Sequence, residues 1–131
     1  NRPDNESAND EPVVFYDIDE CLELSLEDVS TEKGTNYCFA LVIKNPGVYN
    51  ATITASSEQG ELAQIPVTLF AKGTANGVYT WHGTNGKPVS ITRDLPMFSR
   101  YVSVRLYFAQ SGLKLHSIEF KLNKNKKLEN I

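Results

Sequence analysis

Four residues with chemistry to offer lie close together in the stretch GVYTWHGTNGKPVSI, Gly77–Ile91: Tyr79, Trp81, His82 and Asn85. Trp81 is the only tryptophan, and His82 is one of two histidines. Flat rings beside an amide and an imidazole suit a ligand that carries both apolar faces and hydroxyls. Tyr79 and Trp81 share strand parity, with Val78 and Thr80 on the opposite parity. If Val78 faces a core, the two rings face outward as an exposed aromatic pair. The competing reading makes Trp81 a plug at the edge of a hydrophobic interior, where tryptophan is usually well buried. His82, in a glycine-bordered turn, reads either as a ligand contact or as a plain surface residue.

Any such group needs a scaffold. At 131 residues the chain is long enough for one domain with a sizeable core. Hydrophobic residues make up 40% and charged residues 22%, the balance of a soluble globular protein. No apolar run is long enough for a transmembrane helix. The opening NRPDNESANDEP lacks the apolar centre of a signal peptide and reads as a disordered tail or linker over residues 1–12. The sandwich domain is expected over 13–122, with a polar C-terminal tail over 123–131.

From Tyr37 onward the hydrophobic pattern has period two. YCFALVIK puts Phe39, Leu41 and Ile43 on one face, and VYNATITA does so for Tyr49, Ala51, Ile53 and Ala55. QIPVTLFAKG offers Ile65, Val67, Leu69 and Ala71, and RYVSVRLYFA offers Val102, Val104, Leu106 and Phe108. Half-buried antiparallel strands require this alternation, because successive side chains point to opposite faces. ECLELSLEDV alternates through Leu22, Leu24 and Leu26 and reads as a further strand. Turn signals at Asn45–Gly47, Lys72–Gly77, His82–Gly86 and Ser111–Gly112 separate the runs, the last expected to close a final hairpin. Leu113 and Leu115 have one parity, and Ile118 and Phe120 the other, so a bulge is expected near His116–Ser117. About eight strands without a helix predict an all-β antiparallel sandwich of the jelly-roll kind.

Charge and reactive residues narrow the function classes. Residues 1–32 carry eleven acids and one base, whereas 33–131 carry twelve bases and five acids. Those bases are scattered, not gathered into the basic face of a nucleic-acid binder. The acids Asp17, Asp19, Glu20, Glu23, Glu27 and Asp28 read either as a hard-cation site or as a solvated strand edge that discourages aggregation. Cys21 and Cys38 are either one disulfide or two buried thiols; spacing does not decide. No nucleophile elbow, zinc-protease motif or phosphate loop is present, so catalysis is not expected.

The run GTNYCFALVIKNPGVYNATITASS resembles the central signature of family 6 carbohydrate-binding modules, a group of galactose-binding-like jelly rolls. IPVTLFAKGTANGVYTW and YVSVRLYFAQSGLKLHSIEF are similar to later strands of that family, so the resemblance spans about residues 34–120. It implies a non-catalytic accessory module of a secreted bacterial glycoside hydrolase, monomeric, and secreted, periplasmic or on the cell surface. Its partner would be carbohydrate or the catalytic domain of the parent enzyme. An aromatic platform of Trp81, Tyr79 or Tyr37 would stack on a pyranose, with Asn85, Asn36 and His82 meeting its hydroxyls. The resemblance also implies a structural calcium, with Asp17, Asp19 and Glu119 as its ligands. The sequence departs from the family where a loop tryptophan is usual, near Lys87–Pro88, and where an asparagine is usual, at Lys114 or His116. Those departures support an alternative, a structural sandwich that packs on a catalytic domain and has no sugar site.

Overall fold

The computed structural model describes residues 13–73 and 76–128. The expected tail over 1–12 lies outside the described residues. Among the described residues nine strands run in chain order: β1 Phe15–Ile18, β2 Cys21–Ser30, β3 Thr35–Ile43, β4 Gly47–Ser56, β5 Gln64–Ala71, β6 Gly77–His82, β7 Val89–Met97, β8 Tyr101–Phe108 and β9 Lys114–Leu122. They form a five-stranded sheet, β1-β3-β8-β5-β6, facing a four-stranded sheet, β2-β9-β4-β7. This is the expected all-β jelly-roll sandwich. Among the described residues no helix is long and apolar enough to cross a membrane.

The strand beyond the expected eight is β1. It pairs parallel with β3, Phe15 opposite Ala40 and Ile18 opposite Ile43; every other pairing is antiparallel. Only one connection, β5 to β6, stays within a sheet. The expected final hairpin at Ser111–Gly112 is therefore corrected: β8 and β9 belong to opposite sheets, and this turn arches between them.

The inward faces are those the alternation picks out. Phe39 and Leu41, Tyr49 through Ala55, Ile65 through Ala71 and Val102 through Phe108 are all buried at their in-facing positions. Each large side chain contributes about 1.5–3 kcal/mol by leaving water. Phe39 and Phe120 meet edge to face across the sandwich, ring centres 6.1 Å apart. In β9 the phase switches at His116. Ser117 pairs with Thr54 and Leu115 with the next residue, Ala55, so His116 has no partner on β4. That is the expected bulge, and β2 is irregular beside it between Ser25 and Val29.

The two ends are fastened differently. At one, the Asn45 amide donates to the Asp19 carbonyl at 2.9 Å, and the Tyr49 hydroxyl donates to the Asn45 carbonyl at 2.5 Å. Asn123 N–H donates to the Val48 carbonyl at 2.8 Å, and Lys124 pairs with Glu20 at 2.9 Å, so the first part of the polar tail is fastened here. At the other end the β4–β5 and β6–β7 loops interlock. Thr84 Oγ1 accepts from Ser57 N–H at 2.8 Å and donates to the Ser57 carbonyl at 3.0 Å. Gly83 sits so tightly there that an added Cβ would lie 1.9 Å from the Gly60 carbonyl oxygen, whereas one at Gly60 meets nothing within 4 Å.

Gly83→Ala is accordingly expected to cost about 1–3 kcal/mol. Gly60→Ala should stay within about 0.5 kcal/mol of the native value. Urea unfolding midpoints of the two variants check the contrast.

Candidate functional site

Register decides where the aromatic pair goes. Ile65 lies opposite Trp81 and Val67 opposite Tyr79. Directly opposed residues of an antiparallel pair share a face. Ile65 and Val67 are core residues, so Trp81 and Tyr79 are core residues too, each 1% exposed. The expected outward platform is thereby corrected: Val78 is the exposed residue, and the two rings stack on each other inside, centres 6.2 Å apart and planes 15° from parallel.

Their polar atoms are satisfied internally. Trp81 Nε1 donates to the Val89 carbonyl at 2.9 Å, and the Tyr79 hydroxyl donates to the Ala51 carbonyl at 2.7 Å. Both acceptors lie in the opposite sheet, so the pair ties β6 to β7 and β4. Burial pushes the Tyr79 phenol far above its ordinary value, against the opposing pull of Arg93, whose guanidinium lies 5.7 Å from the ring centre.

The other expected contacts are spread over separate surfaces. Tyr37 is half-buried on the inner face, its ring edge-on to Phe39 at 6.1 Å. Burial chiefly, then Tyr16 and Glu27, raise its phenol above the usual value. Asn36, the preceding residue, points outward from the five-stranded sheet, where its Oδ1 accepts from Arg105 Nη1 at 3.0 Å. His82 is exposed at the end of β6. Asn85 is exposed at a loop tip, in the left-handed region at φ 54°.

The expected calcium ligands do not converge. Asp17 faces out from β1 in the five-stranded sheet, and Glu119 faces out from β9 in the four-stranded sheet. The sandwich stands between them, so Asp17, Asp19 and Glu119 cannot enclose one ion, and that ligand set is corrected. No group of three or more His, Cys, Asp or Glu side chains suited to a metal occurs among the described residues. Cys21 and Cys38 are free thiols in opposite sheets.

The two outer faces differ in kind. On the four-stranded sheet, polar side chains satisfy one another in a ladder: Asn50 to Asp94 at 2.9 Å, Thr52 with Thr92 and Thr54 with Ser90, both at 2.7 Å. That sheet also carries, at its β4–β7 margin, a groove of about 460 Å³ beside Val48, Asp94, Pro96 and Lys126. The five-stranded sheet carries an open groove of about 480 Å³, bordered by Val13, Cys38, Phe70, Lys72, Asn76 and Arg105. Cys38, Arg105 and Phe70 stand in one row across β3, β8 and β5. The Arg105 guanidinium lies over the Phe70 ring, 4.1 Å from its centre, and reaches Asn36 on its other side. Tyr107 occupies the next row, between Asn36 and Thr68. An aromatic floor, a planar array of donors and neighbouring hydroxyls meet here. The sequence shows Arg105 and Phe70 only as outward residues of separate strands; the cross-strand register makes them neighbours.

No family model matches the chain. Its fold is similar to that of solved β-sandwich domains, carbohydrate-binding modules among them. The CBM36-1 domain of a multidomain xylanase from the hindgut metagenome of Trinervitermes trinervoides superposes with a TM-score of 0.64 at 10% identity, over 79% of this chain and 98% of that one. A β-glucosidase from Paenibacillus barengoltzii contains the same fold, TM-score 0.65 at 19% identity, over 85% of this chain and 11% of that one. In sequence the chain is 42% identical over 122 residues to a β-glucosidase of Ruminococcus albus, covering 92% of this chain. The chain spans 13% of that relative's length.

Two outcomes follow from the buried pair. Trp81 emission should resist acrylamide quenching in the folded protein and become quenchable in urea. Because the folded-state pKa of Tyr79 is raised, unfolded Tyr79 loses its proton first once pH passes about 10. Stability should therefore fall as pH rises above that point. In Tyr79→Phe the alkaline loss should shrink, alongside a cost of about 0.5–1.5 kcal/mol at neutral pH from the lost hydrogen bond to the Ala51 carbonyl. Urea titrations at pH 7 and pH 11 measure both.

Proposed function

We propose that the chain is a carbohydrate-binding module, without glycosidase activity of its own, of a secreted glycoside hydrolase, and that it takes saccharide in the groove of the five-stranded sheet. The observation that carries this is the Arg105–Phe70 pair in an open groove, with Asn36 hydrogen-bonded to the same guanidinium. A pyranose presents an apolar C–H face and a rim of hydroxyls, and these residues supply the partners for each. The fold it shares with carbohydrate-binding modules and its 42% identity to part of a β-glucosidase support the reading. The likeness in fold to a CBM36-1 domain supports a carbohydrate-binding module, and the sequence resemblance would set it near family 6. The parent enzyme would act on β-linked glucosides, and the module would raise its local concentration on them. It would cleave no glycosidic bond itself, and it would work outside the cytoplasm as a monomer.

A second reading has its own observation. Val13, Val14, Phe15 (62% exposed) and Tyr101 (61%) crowd the β1 side of the same sheet. Such an apolar margin suits packing against a neighbouring catalytic domain.

Calorimetric titration and affinity electrophoresis with β-glucan oligosaccharides and polymers test the proposal. Phe70→Ala and Arg105→Ala should each weaken binding about tenfold, equivalent to about 1.4 kcal/mol. Asn85→Ala should leave it unchanged. Absence of binding to any glucan by the native chain would favour the packing role.

A further inference from the structure

The bulge at His116 joins three side chains that the sequence gives no reason to group. His116 Nδ1 lies 2.6 Å from Asp28 Oδ1, and His116 Nε2 lies 2.8 Å from Ser56 Oγ. A carboxylate only accepts, so Nδ1 carries the proton and donates to Asp28. In the neutral ring Nε2 is then the acceptor, and the Ser56 hydroxyl donates to it. An acid that fixes the tautomer, an imidazole base and a hydroxyl in line form the arrangement that activates serine for acyl transfer.

The backbone is shaped to make this meeting. Ser25 pairs with Ser117 and Val29 with Leu115, so the intervening residues of β2 arch beside His116 alone. Within that arch Glu27 and Asp28 both take left-handed conformations, φ 54° and 57°, unusual for non-glycine residues. Strained backbone and bulges gather at functional sites. Ser56, itself nearly buried, borders a surface cavity of about 320 Å³ whose walls include Gln59, Lys114, Ser30 and Thr31.

We propose that Ser56 is an activated nucleophile, with His116 as its general base and Asp28 as the positioning residue, and that it hydrolyses short-chain carboxylic esters of polar alcohols. The small cavity limits the acyl group, and its polar lining, in which Glu58 and Lys114 join the hydroxyls and the Gln59 amide, suits a polar alcohol. Ser56 Oγ bonds to the acyl carbon while its proton passes to His116 Nε2. The ester C–O bond breaks, and His116 returns the proton to the departing alcohol. Water then attacks the acyl-serine with His116 again as base, releasing the carboxylic acid and restoring Ser56. Gln59 and Lys114, which line the cavity together with Glu58, would supply donors to the developing oxyanion. This site includes strands of the four-stranded sheet, and it stands or falls independently of the saccharide groove.

The test is covalent labelling of the 131-residue chain with a fluorophosphonate, read by intact mass and peptide mapping, alongside hydrolysis of p-nitrophenyl acetate. One adduct on Ser56 is expected, absent in Ser56→Ala. His116→Gln should slow labelling about 100-fold or more. Asp28→Asn should lower the maximal labelling rate without changing the reagent concentration for half-saturation, a split that a purely structural role would not produce. Asp28 is exposed, so this variant decides the matter even if His116→Gln does not fold. No adduct on the native chain, an adduct that persists in Ser56→Ala, or a native maximal rate in Asp28→Asn would overturn the proposal.

Discussion

The antiparallel match of β5 to β6 governs what the molecule presents to its surroundings. Because Ile65 faces Trp81 and Val67 faces Tyr79, the two largest rings of β6 are committed to the interior. From inside they donate hydrogen bonds across to Val89 and Ala51. A one-residue slip would expose both rings and bury Val78 and Thr80, losing apolar burial and two cross-sheet hydrogen bonds. The edge of the five-stranded sheet is thus held to the opposite sheet by side chains, where no backbone ladder reaches.

With the aromatic pair inside, the outer faces divide the remaining work. The four-stranded sheet spends its hydroxyls and amides on one another, rung by rung, and has few left for a ligand. The five-stranded sheet leaves a guanidinium stacked on a ring beside an open groove. The contrast lies in pairing as much as in residue type. Thr52 and Thr92 satisfy each other because they are opposed, while Arg105 is opposed by a thiol and a phenyl ring and turns Nη1 to Asn36 on the neighbouring row.

Period-two alternation made the core legible from sequence, since a side chain's face within a strand depends only on its neighbours along the chain. Phe39, Ile53, Leu69 and Leu106 all lie where that rule puts them, and the parity break after Leu115 marks the bulge. β1 escaped notice because four residues with one strongly buried position, Ile18, are too short to show a period. The site was far less legible. Trp81 and Tyr79 looked available because β6 alone does not say which parity faces in; its pairing with β5 does. Asp17 and Glu119 looked compatible as ion ligands until the sheets set them on opposite sides. Arg105 beside Phe70, and His116 between Asp28 and Ser56, depend on contacts between residues far apart in the chain, which no local pattern encodes.

The place of β9 carries a consequence for biosynthesis. It is the last strand among the described residues, yet it lies between β2 and β4 in the four-stranded sheet. Until the ribosome has released residues 114–122, that sheet lacks the element joining its two halves, and β2 has no partner within it. Long-range pairing of this kind makes closure of the sheet depend on the whole of residues 114–122 being available. A chain cut short before Lys114 would lack the strand that joins β2 to β4 and the core side chains Leu115, Ile118 and Phe120, so translation arrest or early cleavage would leave a polypeptide exposed to proteases.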